Sequence, residues 1–338
     1  VQPLFLHPRD LDIAAPHLFW AAPPDTALLV SLDRLGQTTP ALVAATDGRP
    51  ILVAGSRRAA ALRELRGRTL AAVAVDLAAP PNPDAPDAPG SPGAELPLPL
   101  RLGLLYLASN LGRAVTDAMA VAAGRYFAAH GPVDDFLALA GPYLFAEGDR
   151  RARLVAGWLG LPPAWDALLA AGNVPLGAAG RLAGLDADTL AAILPLAGAV
   201  RWSRGSLDNA LTWLGEAARL AGEPPAALLA RSGAMDLPGR GLSPNDLSAG
   251  LLAALRRLRY PSLTTLEARF AALSREVLPG GSRVKLHPGQ GFETDAFTLE
   301  TTIRRPEDLA RAAADIQAMA GAPALPRLLA VARTEDPA

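Results

Sequence analysis

The chain has no cysteine in 338 residues, and lysine occurs once, at Lys285, among 32 basic side chains. Without cysteine these residues hold no disulfide, no thiolate-ligated zinc and no thiol nucleophile. Histidine is scarce, with four copies, and His7, His17 and His130 stand apart in sequence from any acid–base partner. His287 has Glu293 and Asp295 nearby, but the spacing fits no ligand motif, so a solvated loop and no metal site is expected there. No apolar run is long enough to span a bilayer, and no charged-then-apolar leader is seen. A cytoplasmic protein without a membrane partner is the expectation. Arginine in place of lysine, with abundant Ala, Gly and Pro, reads as GC-rich coding rather than function.

Apolar residues make up half the chain, enough for a sizeable core, and the length predicts two to three domains. The net charge of −1 argues against a strongly basic nucleic-acid binder. It leaves room for a local basic face, because clustering decides that footprint.

The most telling stretch runs from Ile51 to Leu65. A short apolar strand meets Gly55, then Ser56, Arg57 and Arg58, and then an Ala-rich helix. Gly55 lets a ligand approach the backbone closely, and Ser56 is expected to cap the helix. The N–H groups and dipole of the first turn favour an anion, and Arg57 and Arg58 supply charge-assisted bonds to phosphate. The plain alternative is a common strand–Gly–helix junction with solvated arginines. Upstream, residues 28–43 predict a helix stopped at Gly36, a Pro-marked loop and a strand, followed by an Asp47-Gly48 turn and the strand at 51. Another strand is expected over 70–77.

Taken in order, these elements resemble the N-terminal domain of the ParB family of partition proteins. The family's Gly-x-x-Arg-x-x-Ala box is matched by Gly55, Arg58 and Ala61, and a second box, typically Glu-Asn-x-x-Arg, is matched at Asn110 and Arg113 within Ala108-Ser-Asn-Leu-Gly-Arg113. The likeness covers roughly residues 26–77 and 104–128. It implies that a cytidine nucleotide, CTP with Mg2+, is held by Gly55, Ser56, Arg57, Arg58, Ser109, Asn110 and Arg113. Ser109 stands where the family usually has Glu, and a hydroxyl is a poor hard-cation ligand and a weak base. Binding with little or no hydrolysis is therefore expected. The family's Asn-Pro-x-x-Pro-Arg stretch is replaced by residues 16–24. The missing cysteine also sets the chain apart from sulfiredoxins, which share the N-terminal fold and act through a thiol.

Beyond residue 78 comes a Pro-rich linker, 79–99, with Asp84, Asp87 and Glu95 and no basic residue. From 100 to about 275 apolar residues recur at helical spacing. Helices are predicted over 100–108, 117–129, 133–140, 149–159, 163–171, 175–183, 186–194, 206–221, 225–231, 243–258 and 262–275. No 34- or 40-residue repeat is present, which disfavours a solenoid. The resemblance implies a divergent helix-turn-helix at about 133–175, with Arg150, Arg151 and Arg153 facing DNA. That window carries three arginines against five carboxylates, net −2, whereas a DNA reader neutralises phosphates around its recognition helix. Arg201 and Arg204 around Trp202, and Arg256, Arg257 and Arg259, form later basic groups. Trp158, Trp165, Trp202 and Trp213 read as core. After 279 two strands, 283–287 and 297–303, and a helix from Pro306 form a ββα unit. Two strands alone are marginal, so pairing with a second copy is expected.

The fold expectation is α+β: a ParB-like N-terminal α/β domain (1–78), an all-α, helix-turn-helix-like middle (100–278) and a small C-terminal ββα unit (279–338). The functional expectation is a CTP-dependent DNA-binding or clamp-type protein of chromosome partition or gene regulation, acting as a homodimer. Two rivals remain: a ParB-like small-molecule kinase drawing on Glu64 and Asp76, and an adaptor whose nucleotide site is dead.

Overall fold

The computed structural model describes residues 3–45, 49–66, 68–75, 77, 96–294 and 296–331. The expected Asp47-Gly48 turn, most of the Pro-rich linker, Asp76 and Asp295 lie outside them. The chain is mixed α+β and divides into two compact units, Val1–Leu207 and Asp208–Ala338. Helices from 208 onward thus share a unit with the C-terminal strands.

The first unit opens with β1 (Leu4–Leu6) and α1 (Thr26–Leu35). Asp25 caps α1 by accepting from the Leu28 N–H at 2.8 Å. Gly36 ends it at φ 75, where only glycine is unstrained, and its N–H returns to the Leu32 carbonyl. β2 (Ala41–Ala44), β3 (Ile51–Ala54), α2 (Ser56–Glu64) and β4 (Leu70–Val75) follow. The sheet order is β1-β4-β2-β3. β2 and β3 are antiparallel, while β2 and β4 run parallel, with Ala41 opposite Ala72 and Val43 opposite Ala74. A parallel pair needs a crossover, and here β3 and α2 provide it. The strand-to-helix corner at Gly55 is therefore built into the connection between the two parallel strands. Sequence patterning missed β1: three residues before a proline carry little signal, and Phe5 is exposed.

Helices α3 (Leu98–Ala108) and α4 (Asp117–Ala128) come next. Residues 98–99, assigned to the linker from sequence, already belong to α3. Then come α5 (Val133–Leu139), α6 (Gly141–Leu144), α7 (Arg150–Leu159), α8 (Ala164–Ala170), α9 (Ala179–Ala183) and α10 (Ala187–Ala199). α6 lies between the helices predicted over 133–140 and 149–159. α10 continues beyond its expected end at 194, through Pro195.

The polar centre of this bundle is Asp166. Arg125 grips it with two bonds, Nε to Oδ2 at 2.9 Å and Nη2 to Oδ1 at 3.0 Å, and Trp158 Nε1 donates to Oδ1 at 2.9 Å. Arg125 also donates to the Leu159 and Leu161 carbonyls. Asp166, counted as a bare negative charge in the sequence window, is thus neutralised from outside that window. Trp158 and Trp165 are fully buried, Trp202 is buried, and Trp213 is half-buried. Truncating Trp158 to Ala would cost about 3–5 kcal/mol.

α11 (Arg204–Ala221) carries the chain into the second unit, which holds α12 (Pro225–Arg231), α13 (Pro244–Arg259) and α14 (Pro261–Val277). β5 (Lys285–Pro288) and β6 (Phe297–Glu300) pair antiparallel, and α15 (Pro306–Ala320) and α16 (Leu325–Leu329) end the described chain. Both strands are shorter than their sequence pattern predicts, and α16 was not predicted. Phe270, Leu273 and Val277 of α14 pack with Met319 and Leu328, and Leu286 and Phe297 of the hairpin pack against the same cluster. α14 thus gives the two strands the apolar support that they lack alone.

Candidate nucleotide pocket

Gly55 sits at φ 101 between β3 and α2 and serves as the N-cap of the helix. A Cβ there would meet Ala41 Cβ at 2.9 Å and Arg58 Nη2 at 3.1 Å. Both the backbone angle and the packing require glycine. The expected Ser56 cap is not formed. Ser56 is the first helical residue, buried, and makes no side-chain cap bond. The left-handed turn at Gly55 takes the capping place without a side-chain cap bond, and the first-turn amides of α2 have no carbonyl partner within the helix.

Gly55, Ser56, Arg57 and Arg58 line one pocket together with Ser109, Asn110 and Arg113. The two groups lie about fifty residues apart in sequence, and the fold brings them to a single cavity of about 430 Å³. Small-molecule sites span roughly 300–1,000 Å³. Trp20, Leu28, Ala54 and Tyr106 complete the lining. The sequence reading missed Trp20 and Tyr106. Trp20 lies in the segment where the resemblance breaks down, and Tyr106 is one turn before the second box.

Among the described residues, three arginines and no carboxylate line this cavity. Arg58 donates from Nη1 to the Thr39 carbonyl at 2.6 Å. Burial lowers its pKa, with no carboxylate offsetting the effect. Arginine nevertheless stays protonated, so a half-buried, unneutralised guanidinium gains from an arriving anion. Arg57 pairs with Asp25 at 2.6 Å, and its Nε is buried without a partner. Arg113 is exposed and lies 5.8 Å from the centre of the Trp20 ring. Burial raises the Tyr106 pKa, an effect partly offset by the Arg113 charge and a backbone hydrogen bond at Trp20.

The second box is held by its own helix end. Ser109 Oγ and Asn110 Nδ2 both donate to the Tyr106 carbonyl at 2.8 Å, and Asn110 Nδ2 also lies 3.1 Å from Ser109 Oγ. Trp20 is fixed from behind by Nε1 donating to the Met119 carbonyl at 2.7 Å and by edge contacts through Phe19 to Tyr106. His17 Nε2 lies 2.8 Å from the Leu52 carbonyl of β3, and burial lowers its pKa. A neutral ring donating from Nε2 fits both facts.

The lining does not fit direct magnesium coordination. Mg2+ takes hard oxygen ligands, usually with one or two carboxylates. Among the described residues no group of three His, Cys, Asp or Glu gathers anywhere. Glu64, one acid of the kinase reading, ends α2. Eight residues of helical rise put it about 12 Å from the corner. His287 pairs with Glu300 at 2.8 Å across the hairpin.

The DNA candidates separate. Arg150 and Arg153 are exposed one turn apart on α7. Arg151 is committed elsewhere: Nε donates to Asp117 at 3.0 Å, Nη2 to the Val115 carbonyl at 3.0 Å, and the guanidinium lies 6.0 Å from the Phe145 ring centre. Among the later basic residues, Arg256 pairs with Glu267 and Arg259 with Glu216, each at 2.6 Å.

No protein-family model matches the chain, and no curated protein matches it. Among the described residues no helix is long and apolar enough to cross a membrane.

Proposed function

We propose that the chain binds a cytidine nucleotide, CTP, in the pocket between α2 and the end of α3, as a ParB-like nucleotide-binding protein. One observation carries this reading: the Gly55–Arg58 corner and the Asn110–Arg113 box line the same cavity. The chemistry supports it further. The uncapped α2 terminus and three arginines suit a polyphosphate, and Trp20 and Tyr106 give the cavity an aromatic wall.

The same lining favours binding over turnover. With no carboxylate in it and a hydroxyl at Ser109, a metal would be carried by the phosphates rather than by protein oxygens. Calorimetric titration with CTP and ATP, with and without Mg2+, tests the reading. CTP binding without turnover is expected. ATP preference with phosphoryl transfer would favour the kinase, and no nucleotide binding would favour the dead-site adaptor.

DNA binding and dimerisation complete the proposal. Arg150 and Arg153 are the residues offered to DNA. With Arg151 tied to Asp117, such binding is weak without nucleotide and falls steeply with salt. A clamp gains by avidity when two copies close on one duplex. The two-stranded sheet, with exposed Leu299 in β6 and exposed Ile303 just beyond it, suits pairing with a second copy. One specific observation favours the adaptor as the second reading: Arg151, Arg256 and Arg259 are all neutralised within the chain. Loss of DNA binding in an Arg150→Ala, Arg153→Ala variant supports the DNA reading, and no binding by the wild type at low salt supports the adaptor.

A further inference from the structure

The N-terminal domain carries a second basic cavity, lined by His7, Arg9, Leu62, Arg63, Arg66 and Arg68. It encloses about 120 Å³, well below the roughly 300 Å³ at which ligand-sized pockets begin. Four arginines and, among the described residues, no carboxylate line it, although the whole chain is net −1.

The four arginines do two different jobs. Arg63 is fixed by two backbone carbonyls, Nε to Pro8 at 3.0 Å and Nη2 to Leu11. Arg68 is fixed by the Leu32 carbonyl and by Asp33 at 2.9 Å. Arg63 thus ties the segment after β1 to α2, and Arg68 ties the end of α1 to the loop before β4. Arg9 and Arg66 are exposed and make no side-chain hydrogen bond or ion pair among the described residues. Asp33 neutralises only one of the four charges. The remaining like charges repel at close range unless an anion lies between them. A held pair and a free pair lining one cavity form a partly preorganised receptor with two arms left to close.

We propose that this cavity is a binding site for a single phosphate dianion, either free inorganic phosphate or the terminal monoester of a small metabolite. The volume excludes a nucleotide, and guanidinium forks match the oxygens of a phosphate. A concave site, rather than an open track, selects a terminal phosphate over the diester of a nucleic-acid backbone. The inference is independent of the nucleotide reading.

The test uses the full chain carrying Arg58→Ala, so that the larger pocket contributes less. Inorganic phosphate, a small phosphate monoester and dimethyl phosphate are titrated at matched ionic strength, with chloride as control, and thermal stability and 31P line width are followed. Saturable stabilisation by phosphate or the monoester, absent with dimethyl phosphate, is expected. Adding Arg9→Gln and Arg66→Gln should weaken it by ten-fold or more, since each charge-assisted bond is a large part of such binding. Both residues are exposed, so the variants should fold, and circular dichroism checks that. Inorganic phosphate without the monoester identifies the free ion as ligand, and both together identify a terminal phosphate. No saturable effect, an effect shared equally by dimethyl phosphate, or one unchanged in the Arg9→Gln, Arg66→Gln variant overturns the proposal.

Discussion

The Arg113 guanidinium rests over the Trp20 indole, 5.8 Å from its centre. One residue belongs to the segment before α1 and the other to the turn after α3, so the contact joins two distant segments of the lining. An exposed cation–π contact is worth about 0.5–1 kcal/mol. A charged hydrogen bond to phosphate is worth about 1.5–3 kcal/mol. The phosphate therefore wins, and an arriving nucleotide is expected to draw Arg113 off the ring.

Tryptophan fluorescence reads that movement. CTP should change the emission of the wild type, and Trp20→Phe should abolish the change while keeping the fold. Phe preserves most of the packing against Phe19 and Tyr106 and forfeits the Nε1 bond to Met119, at a cost of about 1 kcal/mol. An unchanged ligand-dependent signal in Trp20→Phe would place the responding tryptophan elsewhere.

Asp25 holds Arg57 at 2.6 Å while also capping α1. Asp25→Asn keeps the cap, because an amide oxygen accepts the Leu28 N–H equally well, and frees the guanidinium. The pair is largely exposed, so stability should barely change and CTP affinity should rise by up to about five-fold. The backbone N–H of Leu28, and then Arg57, hold the Asp25 carboxyl below its usual 3.8. The pair thus persists above that value and is lost only as pH falls through the lowered one. The affinity ratio between variant and wild type should stay flat from pH 5 to pH 8, and calorimetry at three pH values checks it.

His17 makes the β3 side of the pocket acid-sensitive. Burial holds its pKa below the ordinary 6.5. Above 6.5 both folded and unfolded states carry a neutral ring, and the full contribution is present. Below 6.5 the unfolded state takes up the proton first, so stability falls with pH until the folded value is passed. Urea denaturation at pH 7.5 and pH 5 should show this loss, and it should shrink in His17→Gln. An equal slope in that variant would assign the acid sensitivity to other groups.

Ser109→Glu tests the turnover argument. Its Oγ now donates to the Tyr106 carbonyl, so a carboxylate there gives up one bond at the helix end and brings an acid to a lining that has none. Wild-type protein should bind CTP with negligible phosphate release, and Ser109→Glu should gain a magnesium-dependent rate. Brisk wild-type release, measured by a phosphate assay, would show that an acid outside the lining serves.

Much of the architecture was legible because its signals are local. Gly36 ends α1 and Gly55 turns the corner through positive φ, and the helices of the middle region follow the apolar periodicity of their sequence. The two boxes were legible as motifs, yet neither reveals its neighbours. Trp20 reaches the pocket through tertiary packing on Phe19 and Tyr106, and Arg125 reaches Asp166 across 41 residues. Ser56 misled for a related reason: its type suits a cap, but the left-handed glycine before it takes that place. Arg151 looked like its neighbours Arg150 and Arg153, and only the position of Asp117 separates them.

The central claim is that two distant sequence elements hold one ligand. A CTP titration across wild type, Arg58→Ala, Arg113→Ala and the double variant tests it most directly. Each single change should weaken binding by about ten- to a hundred-fold, and the double variant should lose less than the sum of the two, because both residues act on one bound molecule. Loss on Arg58→Ala with unchanged affinity in Arg113→Ala, or no effect of either change, would contradict the account.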